Sequence, residues 1–182
     1  MNASVAPFYA GWRLLNDRLV ETIGSLSADE LAWTPAPRMW PIWALAGHMA
    51  GARVYWLCGV LKEPGAGSTP FTDPLADAGW EDDPLRPRDA GELVGALRSS
   101  FDVIDGCLRR WTPEMLPVEF ERERAGAIQL HTRQSIIWRL ITHDASHTGE
   151  ISQTIGSHGR GEIELWSGLS RVRHATGEPG TR

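Results

Sequence analysis

The chain has 182 residues and a mass of 20.1 kDa, with 42% hydrophobic and 23% charged residues, the length and balance of one globular domain rather than a disordered chain. A net charge of −5 and a pI near 5.7 argue against non-specific nucleic-acid binding, which needs a basic footprint. No stretch approaches the ~20 apolar residues of a membrane span, no basic-then-apolar leader opens the chain, and Cys58 and Cys107 are too few for a disulfide framework or a cysteine-based zinc site. The expectation is a cytoplasmic protein with one domain over residues 1–182.

Residues 7–26 carry Phe8, Trp12, Leu15, Leu19 and Ile23 at helical spacing, which predicts a first amphipathic helix. Ser27-Ala-Asp-Glu30 fits a capping box for a short helical turn, and Pro35 and Pro37 end it. A second helix is expected from Pro41, a favoured first helical position, through Leu45, His48, Ala52 and Tyr55 to about residue 61. Residues 63–88 are broken by five prolines and read as a long loop. A third helix is expected from Asp89 as N-cap through Leu93, Leu97, Phe101, Ile104 and Leu108, and Thr112-Pro113-Glu114 marks a further turn. Residues 117–130 alternate weakly and are the only candidate for a strand or hairpin. The fourth helix, about 132–157, carries Ile136, Leu140, His143, His147, Ile151 and Thr154 on one side, with Gly159 after its end. A tail from His174 is expected to fray.

This order predicts an all-α four-helix bundle. The long loop between helices 2 and 3 could span it, which would make those two helices parallel and give an up-down-down-up arrangement.

Six histidines are present, and their placement is informative. His143 and His147 are four residues apart, so they lie on one helical face one turn apart and can grip a single ion. That face is the apolar one, and inward imidazoles need partners. His48 supplies a third imidazole on another apolar stripe. Three imidazoles plus an open position is the arrangement of catalytic zinc. The HExxH glutamate is missing, because Asp144 and Ala145 follow His143, which excludes a thermolysin-like protease. His131, His158 and His174 fall off this face and read as exposed or capping. Glu150 lies close to the face of His143 and His147. It reads equally as a carboxylate behind a ligand, a base near the metal, or a polar contact between helices.

The segments Trp40-Pro-Ile-Trp43-Ala-Leu-Ala-Gly-His48-Met and His143-Asp-Ala-Ser-His147-Thr-Gly149-Glu150-Ile151 resemble the DinB-like (YfiT-like) metalloenzymes over about residues 7–160. Two positions depart from that pattern: Pro41 stands where Ser or Thr usually caps the second helix, and Glu150 replaces a commoner Gln. The resemblance implies an up-down-down-up bundle with a divalent metal, zinc first and nickel second, on His48, His143 and His147. It further implies a thiol S-transferase that uses a low-molecular-weight thiol as co-substrate against small electrophiles. A metal-dependent hydrolase and a non-catalytic stress-response binding protein are the alternatives.

Tyr55, two turns from His48 on the same face, is expected to line the substrate pocket. Trp40 and Trp43 are expected at the end of the bundle, away from the metal. The partners expected are a small-molecule substrate and a second copy of the chain, with neither nucleic acid nor membrane. Nine tryptophans exceed what such a core needs, and Trp80 and Trp166 outside the helical stripes would mark a homodimer surface.

Overall fold

The structure is a computed structural model that describes residues 3–76, 83 and 85–170. It is predominantly helical. A 3-10 turn over Ala6–Tyr9 leads into α1 (Ala10–Ser25), followed by the short α2 (Ala28–Leu31). Next comes α3 (Ile42–Val54), which continues as a π-helical stretch over Tyr55–Val60. After a 3-10 turn over Ala66–Ser68 come α4 (Ala90–Arg110), a 3-10 turn over Pro113–Met115, β1 (Glu119–Arg124), β2 (Ala127–Thr132) and α5 (Arg133–Ser157). Trp80 and the tail from His174 lie outside the described residues.

Local chemistry accounts for the boundaries. Ser27, Asp89 and Thr132 each accept from the backbone N–H three residues on, and the side chain there returns the bond. These reciprocal caps satisfy orphan donors at the starts of α2, α4 and α5. Pro41 is the extended N-cap of α3 rather than its first helical residue, and its carbonyl accepts the first helical bond from Leu45, so the helix begins at Ile42. The 3-10 turn has a different period from α1, and Phe8 therefore leaves the predicted stripe and is 81% exposed, while Trp12, Leu19 and Ile23 are buried.

The weakly alternating segment forms an antiparallel hairpin, so the all-α expectation is corrected to a helical fold with one small sheet. Its register pairs Phe120 with His131 and Arg122 with Gln129. Ala125 and Gly126 take φ of 51° and 75° at the tip, the two positive angles that a tight hairpin turn requires.

The helix ends meet in a definite pattern. Val5 N–H donates to the Trp111 carbonyl, so the start of α1 lies at the end of α4. Glu63, just past the π-helical stretch, accepts from Arg110 and Trp111 at the end of α4 and from Arg133 at the start of α5. At the opposite end Arg160 reaches the Ser25 carbonyl, and Trp33 stacks on His158 with ring centroids 4.2 Å apart. The long loop begins at Gly65, whose φ is 129° and where a Cβ would stand 2.8 Å from Val103 of α4. Asp89, at the far end of the connection, caps the start of α4.

Glu63 is the anchor of the lower end. Burial pushes its carboxyl up, but the donors of Trp111, Arg110 and Arg133 outweigh that and hold it below the ordinary 4.5. A carboxylate held low stabilises the fold above its unfolded value, and this contribution is lost as pH falls through the folded value. Glu63→Gln should therefore cost about 1–3 kcal/mol at pH 7. In urea melts across pH, the gap to wild type should close on acidification below 4.5.

Candidate metal centre

Helix α3 is buried on nearly every side. Its less buried residues are Ala44, His48 and Ala52, continued by Tyr55 and Cys58. At three- and four-residue steps these make one stripe. The helix is thus apolar around most of its girth and presents a single open seam with an imidazole in it. On α5, His143, His147 and Glu150 are half-buried along a similar seam, beside the fully buried Asp144, Thr148 and Ile151.

The two seams bring the three histidines together. His143 Nε2 lies 3.0 Å from His48 Nε2, and ligand nitrogens of His48, His143 and His147 all lie within 4.8 Å of one another. A tetrahedral zinc with bonds of 2.0–2.1 Å sets its ligand nitrogens about 3.3 Å apart. The cluster therefore needs only small side-chain adjustments to hold a divalent cation.

The electrostatics favour a metal over protons. Burial, then the neighbouring His147, His48, Arg53 and Arg139, push His143 down to about 4. That ring is neutral at pH 7 and keeps a lone pair for a ligand bond. His147 Nδ1 lies 2.9 Å from Glu150 Oε2. With Nδ1 as donor, the carboxylate fixes the tautomer and frees Nε2, as in carboxylate–histidine–metal pairs. Glu150 therefore stands behind the His147 ring, on the side away from Nε2.

A cavity of about 300 Å³ opens beside the histidines, lined by Pro35, Met39, Trp40, Leu45, His48, His147 and Glu150. Trp40 was expected away from the metal, yet its ring stands edge-on to His48 with centroids 5.1 Å apart. The reason is local. Trp40 precedes the extended Pro41, so it is not on the helix and its wheel angle does not apply. Trp43, one residue into the helix, is buried in the core as its register requires. Tyr55 does not line this cavity. It shares the face of His48, but seven residues at 1.5 Å place it about 10 Å down the axis, where its hydroxyl accepts from Arg122 Nε at 2.7 Å. His131 lies on β2 beside Trp56, and His158 caps α5, both apart from the cluster.

A profile of the DinB superfamily matches residues 12–151. The chain belongs to the DinB superfamily. The matched span contains all three clustered histidines. A crystal structure of a DinB-like protein from Bacillus cereus ATCC 10987 is similar in fold, with a TM-score of 0.61 at 18% identity over 87% of this chain and 95% of that one. No curated protein matches the chain in sequence.

One feature of this DinB-superfamily site escaped sequence reading. Asp144, between the two α5 histidines, is fully buried and accepts from Trp12 Nε1 at 2.7 Å and from Arg53 Nη2 at 2.9 Å. Arg53 also donates to Asn16 Oδ1 and the Leu97 carbonyl. The signal was present in the sequence: Asp144 interrupts the stripe Ile137, Leu140, Thr148, Ile151, and Arg53 interrupts a helix whose only other polar side chain is His48. Removing one partner of a buried ion pair strands the other charge. Asp144→Ala should cost about 3–5 kcal/mol, whereas Arg53→Met combined with Asp144→Leu should cost less than the sum of the single changes. Thermal or urea unfolding of the three variants measures this.

Proposed function

We propose that this protein is a divalent-metal-dependent enzyme, with zinc as the first choice of metal and nickel the second. In this reading His48, His143 and His147 are the ligands and the reaction is a thiol S-transfer onto small electrophiles. The observation that carries the reading is the convergence of three imidazoles, that of His143 held neutral by burial, on one point beside an open, mostly apolar cavity. An ion on three neutral ligands keeps most of its positive charge, and the Lewis acidity it supplies brings the ionisation of a thiol or a water toward neutral pH.

The chain's own residues do the rest. Glu150 holds the His147 ring in one tautomer. Pro35, Met39, Trp40 and Leu45 form walls that exclude water and receive the apolar part of an electrophile. Trp40, edge-on to His48, limits the directions in which that ring can turn.

The wider reading is an up-down-down-up four-helix bundle acting as a cytoplasmic homodimer. It is supported by the meeting of the α3 and α4 ends at Glu63. The exposed Trp138 and Trp166, 69% and 76% accessible, support a surface that a second copy covers. A hydrolase with water as nucleophile is the second reading, favoured by a carboxylate, Glu150, in the cavity wall.

Protein purified without a nickel column should carry one divalent ion per chain by elemental analysis. Alanine at His48, His143 or His147 should abolish binding, Glu150→Ala should weaken it roughly 10–100-fold, and His131→Ala should leave it unchanged. Metal-dependent conjugation of a small thiol to an activated aryl halide supports the transferase. Ester or amide cleavage without thiol dependence supports the hydrolase instead.

A further inference from the structure

The hairpin places a second group of side chains beside the histidines, one helical turn from His143 along α5. On α5, Arg139 precedes His143 by four residues, as His143 precedes His147, so the three share one stripe. The Arg139 guanidinium carbon lies 4.6 Å from the ring centroid of Trp56, and that of Arg122, from β1, lies 4.9 Å from the same ring. His131 of β2 packs edge-on to that ring at 5.0 Å.

Two cations on one indole repel each other, and an anion between or beside them relieves the repulsion. Among the described residues no carboxylate comes within 4.0 Å of either guanidinium. Arg122 spends two donors on neutral acceptors, the Tyr55 hydroxyl and Gln129 Oε1, which orient it without cancelling its charge. Strand alternation explains the missing acids. Phe120, Arg122, Gln129 and His131 pair on one face of the hairpin, while Glu119, Glu121 and Glu123 lie on the other. The buried His131 Nε2 has no hydrogen-bond partner. Burial, then Arg139 and Arg122, hold that imidazole below its ordinary range, which places it in the field of both cations.

We propose that Arg122 and Arg139, held on Trp56, anchor an oxyanion group, carboxylate or phosphate, carried by the molecule that reacts at the three histidines. Guanidinium forks match the paired oxygens of either group. The anchor would fix one end of that molecule while its reactive end lies a helical turn away, at the histidines. This rests on the reading of the histidines as the reaction centre, but anion binding itself can be measured without metal.

The test is calorimetric titration of metal-loaded and chelator-stripped full-length protein with benzoate, phenyl phosphate and the neutral benzamide. Both acids, or one of them, should bind more tightly than benzamide, and the tighter acid identifies the group as carboxylate or phosphate. Arg139→Gln and Arg122→Gln should each weaken the binding acid roughly tenfold or more without altering benzamide. Arg139→Lys should recover part of the affinity. Arg139 is exposed, so its variants should keep the wild-type melting temperature, and Arg139→Gln stands as the decisive variant if Arg122→Gln loosens the hairpin. Equal binding of acid and amide, or an Arg139→Gln protein with unchanged acid affinity, overturns the anchor. His143→Ala separates the two readings. Lost metal with retained acid binding supports the anchor, and lost acid binding in that well-folded variant overturns it. A wild-type protein that takes no metal but binds the acids overturns the metal reading alone.

Discussion

The ion pair between Arg53 and Asp144, buried to within 1% on both side chains, is the contact on which the rest of the structure depends. It lies where two apolar clusters meet, one containing Leu19, Met49, Leu97 and Ile151, the other Trp12, Leu57, Phe101 and Leu140. Each long helix contributes one polar residue to this layer: Asn16, Arg53, Ser100 and Asp144. Apolar contacts are non-directional and tolerate a slide of one helix past another. A guanidinium whose donors reach Asp144, Asn16, Leu97 and Ser100 does not. Breaking any of these bonds strands a buried polar group. The network therefore sets the axial alignment of α3 against α5.

That alignment is also the geometry of the site. His48 lies five residues before Arg53 on α3, and His143 immediately precedes Asp144 on α5. With the two charges locked together, the imidazoles cannot separate without opening the core. The chain thus holds three imidazoles on a rigid frame behind a half-open seam, beside a cavity of small-molecule size. The same frame carries a cost for His143, since Arg53 adds positive field that, after burial and the neighbouring histidines, disfavours its protonation.

Tryptophan does several different jobs here. Trp12 donates into the central network, Trp111 donates to Glu63 at the lower end, and Trp33 stacks on His158 at the upper end. Trp40 walls the cavity, and Trp56 carries two guanidinium groups. An indole offers a large apolar face with one fixed donor. It can therefore close an apolar gap and satisfy a buried acceptor together, which explains its frequency in a small helical protein with a polar central layer.

The sequence alone determined the long helices, several of their caps and the pairing of two histidines on one face. Periodicity located the four long helices, the capping box at Ser27 and the N-cap at Asp89 located the starts of α2 and α4, and the four-residue step placed His143 and His147 on one face. These are local properties, set within a few turns by hydrogen bonding and side-chain period. What needed the tertiary structure were the contacts between segments far apart in the chain. Trp40 reaches His48 because Pro41 turns the backbone before the helix begins. Tyr55 leaves the cavity because distance along an axis, invisible on a helical wheel, separates it from His48. Arg122 and Arg139 meet on Trp56 only because the hairpin folds against α3 and α5. Asp144 became the partner of Arg53, 91 residues away, because a buried charge must find its complement, and only the packed core brings the two together.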